Sequence, residues 1–115
     1  RYKPMRLDSG PEQGELLIVG WGSTYGAIRT AALQLQAEGQ SVAHVHIRHM
    51  FPFNKGLGPL LKRYKKVLVP EMNSGQLRQM LRGEFLVDAQ GLNKIQGMPF
   101  TSEEIRTAAL NMLKS

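Results

Sequence analysis

Four groups of residues have types and spacings that chemistry could use. The first is the glycine-rich turn Gly20-Trp21-Gly22-Ser23-Thr24-Tyr25-Gly26. It sits between a short apolar run and an amphipathic stretch. A helix that starts at such a turn offers free N–H groups and the positive end of its dipole, both of which attract anions. The spacing Gly20-x-Gly22-x-x-x-Gly26 misses the dinucleotide fingerprint by one residue at the third glycine. His46 and Arg48 stand where a ribose-binding acid would close the second strand. The Lys-Ser/Thr pair of a P-loop is missing. These departures argue against a nicotinamide or nucleoside-triphosphate site and leave a weak phosphate site. The reading the residues favour is a turn whose glycines serve tight strand-to-helix packing.

The second group is His44, His46 and His49. His-x-His on one strand face can hold zinc, but a further ligand must come from elsewhere, and Glu71 is the one donor in a suitable place. Lining a polar crevice or packing at an interface accounts for them better. The third group is the basic cluster Lys62-Arg63-Tyr64-Lys65-Lys66. Cations favour the C-terminal end of a helix, which explains the cluster as a solvated helix end. RNA binding would want aromatic residues spaced along exposed strands, and the aromatics here fall at turns or in the core. The fourth group, Glu71, Asn73 and Ser74, follows the third strand, at the sheet edge where open α/β folds bind ligands. Capping and loop hydrogen bonds explain these three equally well. Neither a Ser-His-Asp order nor a carboxylate pair is present, so the residues by themselves display no active site.

Stepping from these residues to their supports, the chain alternates strands and helices. Leu16–Val19 is an unbroken apolar run, as in a strand covered on both faces. The helix expected over 24–38 places Ile28, Ala31, Ala32 and Leu35 on one face, with Ser23 or Thr24 as its cap and Gly39 at its end. Ser41–Ile47 reads as the second strand, with Val42, His44 and His46 on one face and Ala43, Val45 and Ile47 on the other. Phe51-Pro52-Phe53 is an extended turn. Pro59 suits the first turn of a short helix carrying Leu57, Leu60, Leu61 and Tyr64. Residues 66–70 form the third strand, which Pro70 should end. Ser74 can cap a helix carrying Leu77, Leu81 and Phe85. Leu86–Ala89 is ambiguous between helix tail and short strand, and Asn93–Gln96 reads as the last strand. Thr101 and Glu104 make a capping box for a final helix bearing Ile105, Ala108, Ala109 and Met112. Such alternation predicts a parallel or mostly parallel sheet with helices on both faces.

The 115 residues suffice for one compact domain, and 42% hydrophobic with 21% charged residues is a globular composition. Residues 1–14, with Pro4, Gly10, Pro11 and Gly14, read as a lead-in arm or linker, and 15–115 as the domain. A first residue of Arg suggests a piece of a longer protein. No apolar run approaches the ~20 residues that span a bilayer, and no signal-peptide pattern opens the chain. The absence of cysteine rules out a disulfide framework and thiolate chemistry and fits a cytoplasmic setting. A net charge of +6 and a pI near 10.0 suit nucleic acid, an anionic cofactor or an acidic partner subunit.

Taken together, the quoted motifs resemble one family. They are 19–28 around the glycine turn, His44-Val-His-Ile-Arg48 with Pro52-Phe53, Lys66-Val-Leu-Val-Pro-Glu71-Met-Asn73-x-Gly75-Gln76-Leu77, and Lys94-Ile-Gln-Gly97-x-Pro99-Phe100. From about Gly14 onward the chain resembles the C-terminal domain of the alpha subunit of 2-oxoacid:ferredoxin oxidoreductases, with 2-oxoglutarate as the nearest type. The resemblance implies a three-layer α/β/α, transketolase C-terminal-domain-like fold. Its mostly parallel sheet would have about five strands, one edge strand antiparallel. With four strands clear in the sequence, the fifth would come from residues 86–89 or the arm. The family converts a 2-oxoacid and coenzyme A to acyl-CoA, carbon dioxide and reduced ferredoxin. It uses thiamine diphosphate with magnesium and an iron–sulfur cluster. The resemblance places those cofactors in other domains and in the beta subunit. A chain without cysteine ligates no cluster through thiolates.

The resulting expectation is a structural and assembly domain, inactive alone. It would pack against the other alpha-subunit domains and the beta subunit, with ferredoxin reached through the complex and no membrane contact. The expected anion or interface crevice comprises Gly22, Ser23, Thr24, Tyr25 and Gly26, then Arg48, His49 and Pro52, then Glu71, Asn73 and Gly75. No catalytic or metal-ligating residue is assigned. Two other classes stand beside this one: an autonomous module binding an anion or the phosphates of coenzyme A, and, as the minority reading, a basic nucleic-acid-binding domain.

Overall fold

An apolar run with no polar alternation can be a strand only if both of its faces are covered, and β1 (Gly14–Trp21) meets that demand. Its Leu16, Leu17, Ile18 and Val19 are all at 0% exposure. The computed structural model describes residues 5–50, 52–72, 75–94 and 98–114. After β1 come a 3-10 turn (Gly22–Thr24), α1 (Tyr25–Ala37), β2 (Val42–Ile47) and α2 (Leu57–Leu61). They are followed by β3 (Tyr64–Glu71), α3 (Gln76–Phe85), β4 (Ala89–Asn93) and α4 (Ser102–Lys114). The sheet order is β2-β1-β3-β4, every pairing parallel.

The pleat sorts the side chains into two cores. Leu16, Ile18, Val42 and Leu68 meet Ile28, Ala31, Ala32 and Leu35 of α1 and Ile105 and Ala109 of α4. Leu17, Val19, Ala43, Val45, Val67 and Val69 meet Leu57, Leu60 and Leu61 of α2 and Leu77 and Leu81 of α3. The result is three layers, α/β/α. Each fully buried Leu or Ile contributes about 1.5–3 kcal/mol of transfer free energy. The capping box forms as expected: Glu104 N–H donates to Thr101 Oγ1 at 3.1 Å, and Thr101 N–H to Glu104 Oε1 at 2.9 Å.

The structure corrects several expectations. Among the described residues the sheet has four strands, and both of its edge strands run parallel to their neighbours. The antiparallel element is instead a single bridge, Ser9 to His44, where the arm lies along the outer edge of β2. Residues 86–89 do not supply a fifth strand. β4 occupies Ala89–Asn93 rather than 93–96, and residues 95–97 lie outside the described residues. β3 passes through Pro70 to Glu71. Its pairing with β1 has ended at Ile18↔Leu68, so the N–H that Pro70 lacks is not needed on that side. Thr24 does not cap α1; its hydroxyl donates to Trp21 O at 2.9 Å. Ser74 lies outside the described residues.

Two glycines carry the turn after β1 for different reasons. Gly22 has φ +65°, in the left-handed region. Gly20 has no room for a side chain, because a Cβ there would collide with Ile28 Cδ1 and lie 3.0 Å from His46 Nδ1. Gly26 faces open space. At the far end of α3, Leu86 adopts φ +57°, a left-handed conformation that costs a residue with a Cβ about 1–2 kcal/mol.

Gly20→Ala is therefore expected to lose about 1–3 kcal/mol by overpacking, read as a lower urea midpoint at unchanged slope. Gly26→Ala, with open space around it and a place in α1, is expected to gain up to ~1 kcal/mol from helix propensity.

Candidate functional site

The crossover from β1 runs to β2 and that from β3 runs to β4, in opposite directions, so β1 and β3 part at the carboxyl edge. β1 stays with β2 as far as Trp21↔Ile47, while β3 stays with β4 as far as Glu71↔Asn93. The crevice between β1 and β3 lies at this topological switch point, where open α/β sheets bind ligands. Trp21, Gly22, Ser23, Thr24 and Met72 line a hollow of about 170 Å³ there. A second, of about 100 Å³, runs from Ser23, Thr24 and Gly26 to Pro99 and Phe100.

Glu71 ends β3 beside this crevice and is at 0% exposure. Its Oε1 accepts from Leu77 N–H at 2.7 Å and from the Trp21 indole N–H at 3.3 Å. Its Oε2 accepts from Arg78 N–H at 3.0 Å. The carboxylate thus caps α3 from a distance, satisfying two of the helix's free N–H groups and meeting its positive dipole end. Gly75, at φ +95°, turns the chain into that helix. Glu71 therefore faces inward and is spent on the fold.

The remaining predicted residues gather around a third, larger hollow. His46, Arg48 and His49 line a cleft of about 690 Å³ with Met5, Arg6 and Leu57, between the arm and α2. Pro52 sits exposed in the loop beyond. Tyr25 joins the two regions. Its ring lies 5.0 Å edge-on from His46 and 5.5 Å from His44, and Arg48 lies 5.9 Å over its face. His46 Nε2 is 3.2 Å from Gly22 O. A carbonyl only accepts, so this nitrogen carries the proton. The expected single crevice is thus two small hollows at the switch point and a separate cleft, with Tyr25 and His46 between them. Asn73 lies outside the described residues.

Asp8, read in the sequence as part of a linker, is the residue that fixes the arm. Its Oδ1 accepts from His46 N–H at 2.7 Å, and its Oδ2 pairs with Arg48 at 2.8 Å. Burial raises the Asp8 pKa, but the hydrogen bonds from Arg48 and His46 outweigh it and hold the carboxyl below its usual range. The sequence signal was slight: an Asp-Ser-Gly turn chemistry just before the first strand. Tyr64 also ties the arm down, donating to Pro11 O at 2.5 Å; burial pushes its hydroxyl up to about 12.

His44 is fully buried, and burial pushes it down to about 4 against a partly opposing Asp8. His46 is also lowered, chiefly by burial, with the Gly22 carbonyl opposing. Among the described residues no group of three His, Cys, Asp or Glu side chains could hold a metal ion. No described helix is long and apolar enough to cross a membrane. The site offers inward-facing ties, small hollows and one basic cleft.

Comparison with known proteins agrees with this α/β switch-point architecture. The family described as pyruvate:ferredoxin oxidoreductase core domain II matches residues 14–105, and the chain belongs to it. The 2-oxoglutarate oxidoreductase subunit KorA of Mycobacterium tuberculosis is 46% identical over 101 residues, covering 88% of this chain and 16% of that protein. A solved 2-oxoglutarate:ferredoxin oxidoreductase from Magnetococcus marinus, with 2-oxoglutarate, coenzyme A and succinyl-CoA bound, superposes with a TM-score of 0.89 at 31% identity. It covers 97% of this chain and 20% of that one. A split-gene transketolase shares the fold at TM-score 0.69 and 21% identity, over 99% of this chain and 43% of that one. The chain thus spans about a fifth or less of these two oxidoreductase relatives.

Glu71→Gln turns one acceptor into a donor facing an N–H and is expected to cost ~2–3 kcal/mol, while Trp21→Phe costs ~1 kcal/mol, both by urea denaturation. The histidine gives a pH signature. Its folded pKa near 4 lies below the ordinary 6.5, so the unfolded chain binds more protons between those values. Stability is then full above pH 6.5 and falls by up to ~3 kcal/mol as the pH drops to 4. His44→Phe should flatten that decline; an unchanged decline would assign it to other groups.

Proposed function

We propose that this chain is the core domain II of the alpha subunit of a 2-oxoacid:ferredoxin oxidoreductase of the 2-oxoglutarate type, and that its work there is structural. The assembled enzyme would convert 2-oxoglutarate and coenzyme A to succinyl-CoA, carbon dioxide and reduced ferredoxin. Thiamine diphosphate with magnesium would supply the carbanion stabilisation, and an iron–sulfur cluster would take the electrons. The residues described here do not fit either group. The carboxylate at the switch-point crevice is buried and already matched by three donors, so it is not available to magnesium. Thiolate ligands are absent from the sequence. No step of the reaction is therefore assigned to this chain.

The observation that carries the structural reading is Glu71. At the position where related architectures hold ligands, this chain places a carboxylate that joins β1, β3 and α3 to one another. The reading further supposes contacts with the other alpha-subunit domains and with the beta subunit, a soluble cytoplasmic setting, and electron delivery to ferredoxin through the complex. A second reading is favoured by one feature, the cleft lined by Arg6 and Arg48, whose guanidinium groups suit the phosphates of coenzyme A.

Kinetics of the complete enzyme carrying Arg48→Ala separate the two. The structural reading expects KM for coenzyme A and kcat within twofold of the parent. A tenfold rise in KM for coenzyme A at unchanged kcat would transfer the assignment to an anion site in this domain.

A further inference from the structure

Arg78 is a cation where its helix does not favour one. It lies in the first turn of α3, at the positive end of the dipole, and its backbone N–H is already spent on Glu71. The side chain runs out over β4. A Cβ on Gly91 would lie 3.0 Å from Arg78 Cδ and 3.1 Å from its Nε, so the bare glycine leaves the arginine its bed. Among the described residues the Arg78 guanidinium has no hydrogen bond or ion pair, and its Nε is buried without an acceptor. Arg82 follows one turn later, half exposed, its guanidinium reaching Asp88 at 4.0 Å just before β4. One arginine thus lies over the middle of β4 and another near its start. β4 itself is the terminal strand, paired among the described residues with β3 alone, and its Gln90, Gly91 and Asn93 are exposed.

Spacing describes what such an edge would take. Arginines four residues apart are separated by about 6 Å along a helix, at ~1.5 Å per residue. Alternate residues of an extended chain share one face and are separated by about 6.6 Å, at ~3.3 Å per residue. A strand added to β4 therefore presents every second side chain to α3 at the interval of the two guanidinium groups. Guanidinium and carboxylate match through paired hydrogen bonds.

We infer that the outer edge of β4 takes an extended acidic segment, with carboxylates two residues apart, from a second subunit of the enzyme. The inference rests on the functional reading above for the existence of that subunit. Charge selects the occupant: Arg78 and Arg82, in a chain of net charge +6, complement acid and repel a second copy paired edge to edge. A relative selects its source. The alpha chain of a probable 2-oxoacid ferredoxin oxidoreductase from Thermoplasma acidophilum superposes at TM-score 0.57 and 25% identity, over 92% of this chain and 94% of that one. An alpha chain that is almost wholly this domain meets any other subunit with this domain's own surface.

The test uses the complete alpha subunit and its separately purified partner subunit. Arg78→Glu with Arg82→Glu is expected to weaken their association at least ~100-fold, and Arg78→Gln alone about tenfold, at the Tm of the parent. Added salt should weaken the parent pair and leave the double variant unmoved. Parental affinity in the double variant overturns the inference. Should that variant fail to fold, the unmodified subunit answers through hydrogen exchange of the peptide spanning β4. Slowing of about tenfold or more on adding the partner is expected. A rate the partner does not change overturns the inference, whether the edge is bare or covered from within its own polypeptide. Slowing that grows instead with the concentration of the alpha subunit alone would name a second copy and overturn it as well. Turnover of 2-oxoglutarate with coenzyme A and ferredoxin by the unmodified enzyme is recorded in the same preparations. Its absence would remove the functional reading, while titration and exchange would still report on the edge.

Discussion

A carboxylate with no solvent contact must find donors inside the protein, and the placement of Glu71 follows from that demand. Desolvating an ion costs several kcal/mol, which only short bonds from fixed donors offset. Here the donors come from Trp21 at the end of β1 and from Leu77 and Arg78 at the start of α3. Glu71 itself ends β3. One group therefore sets how far β1 and β3 separate at the switch point, where α3 begins, and how its first turn is satisfied. Remove it and two helix N–H groups and an indole lose their partner together, since the backbone amides of Leu77 and Arg78 have no carbonyl one turn earlier in the helix to turn to.

The edge of β2 is managed by a similar economy. An open strand edge invites pairing with other chains. Here Asp8 N–H and Ser9 N–H donate to His44 O, and His44 N–H donates back to Ser9 O. The Asp8 side chain takes the next amide, His46 N–H. The antiparallel strand that the family resemblance implied is reduced to this bridge plus a carboxylate. The two strand histidines lie under it against Tyr25, neutral because burial disfavours their charged forms. The opposite edge, β4, has no such cover within the described residues, which makes the two ends of the sheet unlike in their readiness for a partner.

Several parts of this architecture were legible from residue type alone. The run 16–19, the helical stripes of Ile28 to Leu35 and Leu77 to Phe85, and the Thr101–Glu104 box each depend on neighbours close in sequence, and each formed as expected. The errors share a cause. Pro70 looked like a strand end because the sequence does not say which side of β3 lacks a partner. Thr24 looked like a cap, but the Trp21 carbonyl, exposed by the turn, took its hydroxyl. The candidate site fared the same way: its residues were named, but their division among three hollows and the inward aim of Glu71 depend on contacts between segments remote in the chain, as across the 50 residues from Trp21 to Glu71.

The sequence by itself determined the alternation of strands and helices, the two apolar faces of β1 and β2, the positive charge and the exclusion of thiolate chemistry. These follow from period, composition and local turn geometry, which act over a few residues. Tertiary structure alone decided that Asp8 is a clasp rather than linker, that Glu71 is a structural ion rather than a ligand, and that Leu86 is left exposed and strained. Each of those outcomes depends on the distance between groups remote in the chain, or on the burial that packing imposes. Neither quantity exists until the layers have closed on the sheet.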